Sequence, residues 1–226
     1  MGLKLEVRGD LSLARPTLFI SNHISYTDIF VLGGIAPGNF IAKSEVAGWP
    51  VLGNLARIQD TLFFERKGRH ARSQVNVMRT HMTNGGNLIL FPEGTSTEGT
   101  HVEPFKSSLF SATDLESKQQ ALIQPVTISY TRYQGEPMSQ DIREYYAWYG
   151  TTPFSPHFFE MLGMHSARVE LIFHPPVKLN EFESRKSCAE YCQQLISKSL
   201  TATLDVNEDE DNINEFVNQK TNNVVK

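Results

Sequence analysis

TLFISNHISYTDIF, residues 17–30, passes through three kinds of local pattern in fourteen residues. Thr17–Ser21 is a short run of β-branched, aromatic and aliphatic side chains bounded by polar ones, the pattern of a buried strand. The next residues are polar and interrupt it. From Asp28 through Leu32 the pattern turns apolar again, with an acid where the first turn of a helix favours one. A strand that hands the chain to a helix through a short polar loop is the unit of an α/β sheet.

The loop carries His23, five residues before Asp28. On one continuous helix, five residues rotate a side chain about 140° beyond a full turn, so the pair would not meet. They meet if His23 lies in the loop and Asp28 in the first helical turn. A carboxylate on one imidazole nitrogen fixes the tautomer and leaves the other nitrogen to accept a proton. Residues 22–28 are therefore a candidate general-base pair. A histidine that serves only the structure is the competing reading of that loop.

Outward from this unit the same alternation continues. Strands are expected at Leu3–Val7, Phe40–Lys43, Asp60–Phe64, Asn87–Phe91, Leu122–Tyr130 and Arg168–His174. Helical spacing runs through Ala71, Val75, Met78 and Met82 within Arg69–Thr83. Further helices are expected over Ser107–Lys118 and Ser187–Leu204. The fold class is α/β, a central mixed sheet flanked by helices. The segment Ser139–Gly163 reads as less regular and is dense in aromatics, from Tyr145 and Trp148 to Phe159. Core packing accounts for such density, and so does a wall beside an apolar ligand or a membrane interface.

The chain has 226 residues and a formal net charge of -4. That length fits one domain, and 40% hydrophobic residues suffice for a sizeable core. The acidic balance argues against nucleic acid as a partner. The charge lies at one end: six acids and two lysines follow from Asp205, which leaves residues 1–204 with equal numbers of acids and bases. The expected division is a domain over 1–204 and an acidic, Asn-rich, disordered tail over 205–226. Cys188 and Cys192 stand four apart in an expected helix, which suits buried thiols in a reducing compartment better than a disulfide. MGLKLEVRGD at the start lacks the apolar stretch of a signal peptide, and Glu6 breaks the myristoylation pattern. Ile29–Ala42 is too short to span a bilayer and is broken by Gly33, Gly34 and Pro37. Lipid contact is thus expected to be peripheral, with Val46–Leu55 the candidate surface.

Two further segments carry chemistry. NGGNLILFPEGTSTEGT, residues 84–100, reads as a buried strand leaving through a sharp turn. Gly94 lets the backbone approach a ligand, Thr95 and Ser96 offer hydroxyls, and Glu93 is a strand-end carboxylate suited to a polyol hydroxyl. TLFFERKGRHARSQ, residues 61–74, ends an apolar strand in Glu65 and Arg66. A guanidinium there is shaped for bidentate phosphate binding. Lys106 is a further cation downstream of the Gly94 turn.

Taken in order, these segments resemble the glycerolipid acyltransferases typified by lysophosphatidic acid acyltransferases. The first block, an Asn-His pair with a later Asp, falls on Asn22, His23 and Asp28, with Ser25 also matching. The second, an acid-Arg pair after an apolar strand, falls on Glu65 and Arg66. The third, Phe-Pro-Glu-Gly-Thr followed by Ser or Arg, falls on Phe91–Ser96. A looser fourth block, an apolar strand through a proline, fits Leu122, Ile123, Pro125 and Val126, and residues 42–57 resemble the stretch between the first two blocks. The resemblance covers roughly residues 3–180.

It implies acyl transfer from a thioester, acyl-CoA or acyl carrier protein, to the free hydroxyl of a lysophospholipid, with lysophosphatidic acid the expected acceptor and phosphatidic acid the product. His23 would be the base and Asp28 its orienter, Arg66 would grip the acceptor's phosphate, and Glu93 with Gly94–Ser96 would hold the glycerol. No metal or other cofactor is implied, and the expected location is the cytoplasmic face of a membrane. A lyso-ornithine lipid is the alternative acceptor. A lipid-ester hydrolase with Ser25 or Ser96 as nucleophile would need a G-x-S-x-G elbow, which the sequence lacks. A lipid-binding module would need no base. Many family members carry an apolar membrane segment before the first block, whereas here the first block follows within two dozen residues. The acidic tail has no counterpart in the resemblance.

Overall fold

The structure is a computed structural model that describes residues 2–49, 52–64, 71–115 and 120–224. Its strands are β1 (Leu3–Arg8), β2 (Thr17–Ser21), β3 (Asn39–Lys43), β4 (Leu62–Phe64), β5 (Leu88–Leu90), β6 (Leu122–Tyr133), β7 (Glu136–Pro137) and β8 (Ala167–Phe173). Its helices are α1 (Thr27–Gly33), α2 (Leu52–Ile58), α3 (Ala71–Thr83), α4 (Gln140–Tyr146), α5 (Phe154–Gly163) and α6 (Arg185–Val224).

The strands form one mixed sheet in the order β1-β8-β6-β2-β5-β3-β4, with the short β7 turned back on β6. Pairing is antiparallel where β6 meets β8 and β7, and parallel at the other contacts. Both faces are covered, as the alternation along β2 shows. Leu18 and Ile20 point into a core shared with Met78 and Met82 of α3 and Cys188 and Cys192 of α6. Phe19 points into the opposite core, with Val31 and Leu32 of α1, Tyr146 of α4 and Met161 of α5. A period of two along the strand thus feeds two hydrophobic layers, and this is why the strand reads as continuously apolar.

Register places the site. β2 and β5 are parallel neighbours, with Ile20 opposite Leu90, so the loops that follow them leave the sheet side by side. β2 also pairs with β6, and Ser21 lies opposite Val126. β6 continues seven residues past that point, so its later half flanks the loop after β2.

The seven strands expected from the sequence are all present, Thr17–Ser21 with the same ends and the others displaced by at most three residues. Three regions differ. Ser107–Thr113 is a 3-10 turn rather than an α-helix; its buried residues pair three apart, Leu109 with Ala112 and Phe110 with Thr113, the spacing that a 3-10 turn stacks. Residues 116–118 of that expected helix lie outside the described residues. The stretch read as irregular, 139–163, contains two helices. The Ser139 hydroxyl caps α4 by accepting the Ile142 N–H, and Pro153 sets the start of α5. Both are short and carry aromatics on several faces, which hides their period. Finally, α6 does not stop at the acidic segment. Its buried stripe includes Cys188, Cys192, Ile196, Leu200 and Leu204, and its helical backbone runs to Val224. Among the described residues, no helix is long and apolar enough to cross a membrane.

Candidate active site

Where β2 ends, Asn22 continues its pairing with β6 by side chain. The Asn22 amide donates to the Ile128 carbonyl and accepts the Ile128 N–H, both at 2.9 Å. This two-way bond mimics one more strand residue and frees the backbone to turn. His23 then lies in the loop and Asp28 in the first turn of α1, the arrangement in which the two can meet.

They do meet. His23 Nδ1 lies 2.9 Å from Asp28 Oδ2, which also accepts the backbone N–H groups of Ile24 at 2.7 Å and Ser25 at 3.0 Å. Those donors mark Asp28 as an acceptor, so Nδ1–H donates and the lone pair sits on Nε2. The other carboxylate oxygen accepts the Tyr130 hydroxyl at 2.9 Å. Tyr130 has spent its one proton there, so the Thr27 hydroxyl, 2.5 Å away, donates to the tyrosine oxygen. Asp28, Thr27 and Tyr130 are buried. Burial raises the Tyr130 hydroxyl well above its ordinary range, and the Asp28 charge adds to this. The phenol therefore stays a donor. The His23 ring is stacked on Phe91 at 4.1 Å and 14°, and its side chain keeps 18% exposure.

Glu93 braces two loops through its carboxylate. One of its oxygens accepts the His23 N–H at 2.7 Å and the other the Glu103 N–H at 2.8 Å. The residue is buried and is not among those lining the cavity described below. Its carboxyl joins the histidine loop to the loop before Lys106. Burial pushes it up to about 8, against the two N–H donors, which pull it down. Gly94 is required by its φ of +71°, and the Lys106 Nζ, the mobile tip of a side chain, lies where a Cβ would project. The Lys106 side chain thus lies across the turn, and its backbone N–H donates to the Pro92 carbonyl at 3.0 Å. Ser96 donates its hydroxyl to the Trp148 carbonyl at 2.5 Å, while Thr95 is exposed. Arg66 and Glu65 lie outside the described residues.

His23, Gly94, Thr95 and Ser96 face one cavity of about 280 Å³. Its walls are mainly apolar, with Phe40, Trp49, Phe91 and Trp148 prominent. The aromatic segment 139–163 divides between both of its readings. Tyr146 is buried core; Trp148 and Tyr149 line the cavity; Phe159 is 71% exposed. From the stretch 46–55, Val46 and Trp49 also form cavity wall. Sequence reasoning missed Tyr130 and Thr27. Tyr130 ends an apolar strand run and looks like core, and the one signal was that a buried phenol needs a partner for its hydroxyl.

An oriented, partly exposed imidazole on the wall of an apolar cavity has the geometry that general-base chemistry requires. The chain is similar to several known proteins. The sequence model of the family described as Acyltransferase matches residues 4–129. The lyso-ornithine lipid O-acyltransferase of Rhodobacter capsulatus is 36% identical over 202 residues, covering 88% of this chain and 71% of the relative. The protein of the same name from Rhizobium meliloti is 35% identical, over 90% and 72%. The 1-acyl-sn-glycerol-3-phosphate acyltransferase of Neisseria gonorrhoeae is 38% identical over 104 residues, 45% of this chain and 40% of the relative. The fold is that of the crystal structure of the 1-acyl-sn-glycerophosphate (LPA) acyltransferase of Thermotoga maritima, with a TM-score of 0.60 at 24% identity over 88% of this chain and 70% of that one. With its ordered blocks, its sheet and these relatives, the chain belongs to the glycerolipid acyltransferase family and is an O-acyltransferase.

Proposed function

We propose that this protein transfers a fatty acyl group from a thioester, acyl-CoA or acyl carrier protein, to the free hydroxyl of a lysolipid with an amino-acid head group, of the lyso-ornithine type. The observation that carries the reaction is the His23–Asp28 pair, held at 2.9 Å on the wall of an apolar cavity. His23 Nε2 takes the proton from the acceptor hydroxyl as its oxygen attacks the thioester carbonyl. The C–S bond then breaks, and the imidazolium returns the proton to the leaving thiolate. Asp28 stabilises the imidazolium in between. General-base help of this kind supplies about two to four orders of magnitude.

Support for the acceptor comes from coverage. The lyso-ornithine enzymes align over most of this chain, whereas the glycerol-phosphate enzyme of Neisseria aligns over less than half of it. Lysophosphatidic acid, the acceptor expected from the sequence, is the second reading, and the Arg66 segment is what favours it. Lys106, beside the Gly94 turn, is proposed to meet the polar part of whichever acceptor binds. We propose peripheral attachment to the cytoplasmic face of a membrane, with the exposed Phe159 and Leu162 of α5 among the apolar groups available for it. The hydrolase reading loses its nucleophiles: Ser25 is fully buried, and the Ser96 hydroxyl is bonded to a carbonyl. The test is a panel of lysolipids offered to purified protein with one acyl thioester, read as free thiol released. Release with lyso-ornithine lipid above that with lysophosphatidic acid is expected; release that is independent of any acceptor would indicate hydrolysis instead.

A further inference from the structure

β1 is the outermost strand at one edge of the sheet, and among the described residues its one strand partner is β8. The Ala167 N–H donates to the Gly2 carbonyl, and Ala167 stands opposite Leu3. In a parallel ladder the backbone groups of alternate residues point to opposite sides. Lys4, Glu6 and Arg8 therefore turn their N–H and C=O groups toward β8, and Leu3, Leu5 and Val7 turn theirs out from the sheet. The side chains sort by the same alternation. Leu3, Leu5 and Val7 stand beside Ala167, Val169 and Leu171 on the face of the core, yet Leu5 and Val7 are 39% and 44% exposed. Lys4, Glu6 and Arg8 share the other face. An edge that presents backbone hydrogen-bonding groups and uncovered apolar side chains is a template for a further strand.

The charges select which strand fits. Pairing with its own copy about a two-fold axis is antiparallel. Centred on Leu5, it sets Leu5 against Leu5, Leu3 against Val7 and Lys4 against Glu6, all within the strand. Centred on Lys4 or on Glu6, it sets two like charges face to face. Centred on Val7, it overlaps only three residues of each copy, because the chain leaves the strand at Gly9 with a φ of +77°. We propose that β1 joins two copies of this chain edge to edge, in an antiparallel pair centred on Leu5 that makes the two sheets continuous. Lys4 then faces Glu6 at the closely spaced, non-hydrogen-bonded positions, where cross-strand charge pairs act. Arg8, now 2.8 Å from Glu6, also lies 3.1 Å from Glu170, so Glu6 receives the new ammonium without leaving Arg8 unpaired.

The experiment introduces single cysteines into β1 of the full chain, oxidises it and reads covalent dimer on a non-reducing gel; Cys188 and Cys192 are buried. Leu5→Cys should cross-link, since the two Cα atoms lie about 5.5 Å apart, within disulfide reach. Val7→Cys, about 13 Å along the strands from its copy, should not. Sedimentation velocity then measures the dimer Kd without added cysteines. Lys4→Glu should raise it about tenfold, and the exchange Lys4→Glu with Glu6→Lys should return it to within about threefold of wild type. Leu5→Pro removes an outward N–H, leaves the β8 ladder its bonds and should abolish the dimer. A monomeric wild type, cross-linking through Val7→Cys in place of Leu5→Cys, or an exchange that fails to restore Kd overturns the proposal. So does a dimer indifferent to both Lys4→Glu and Leu5→Pro, which would belong to another face.

Discussion

Two sides of the cavity are built by different physics. The histidine loop is fixed by directional bonds: Asn22 to Ile128, His23 N–H to Glu93, and four donors converging on Asp28. The facing wall is fixed by rings. Trp49 stacks on Phe154 at 4.7 Å and meets Trp148 edge-on at 5.3 Å, and Trp148 makes a further edge contact with Phe154. Hydrogen bonds lose their strength steeply with misalignment, whereas ring contacts tolerate wider shifts in distance and tilt. A directionally bonded side suits positioned chemistry, and a ring-packed side suits accommodation of an apolar chain.

Substitutions on the two sides should therefore fail in different ways. The largest effect belongs to His23→Ala, which should lower kcat by about three orders of magnitude or more while the thermal melt stays near wild type. Near-normal turnover in that variant would erase the contrast. Next comes Tyr130→Phe, which leaves Asp28 Oδ1 short of a donor in a dry site. It should cost about 1–3 kcal/mol of stability by denaturant melt. It should also lower kcat about tenfold, with little change in KM, since about 1.4 kcal/mol of lost orientation is tenfold in rate. An unchanged kcat would make Tyr130 a packing residue only.

Glu93 tests the brace beneath the loop through pH. Its carboxyl rises from an ordinary 4.5 to about 8 in the fold, so the folded state holds the proton more tightly than the unfolded one. The stability from this group is fully present below pH 4.5 and is lost as pH rises through about 8. Melting temperature in wild type should therefore decline across that window, and Glu93→Gln should flatten the decline while lowering the melt overall, because an amide offers one acceptor to two N–H donors. A pH profile that Glu93→Gln leaves intact would assign it to other groups. The smallest effect is expected at the ring wall. Trp49→Leu should change KM for long-chain substrates by about threefold and leave the kcat of His23 chemistry within a factor of about two, as a partly compensated loss of ring contact suggests. A collapse of kcat there would show that the wall is as exacting as the loop.

Much of the frame was readable beforehand because its signals are local. Thr17–Ser21 is short, rich in β-branched and aromatic side chains and bounded by polar residues, which favours a buried strand. The pairing of His23 with Asp28 was left open by geometry, which excludes it on one helix and permits it across a loop, and was favoured only by the later blocks and the resemblance they carry. What stayed hidden depends on register. Nothing in TISY, residues 127–130, says that β6 overruns β2 and carries Tyr130 to the far side of Asp28. Glu93 read as a ligand for a hydroxyl because a strand-end acid in a glycine-rich turn commonly is one. Its two backbone partners, at positions 23 and 103, are fixed by tertiary contacts that no local pattern records. The aromatic run 139–163 concealed α4 and α5 for a related reason: its rings face core, cavity and solvent in turn.

The central claim is that Asp28 holds His23 as the Nδ1–H tautomer, with the lone pair of Nε2 toward the cavity. Imidazole 15N resonances of the full chain, recorded at alkaline pH with histidine labelling and assigned by loss in His23→Ala, report this directly. The account predicts a protonated Nδ1 and an unprotonated Nε2 for His23 in wild type, and a change of that tautomer in Asp28→Asn. A proton on Nε2 in wild type, or a tautomer indifferent to Asp28→Asn, would contradict it.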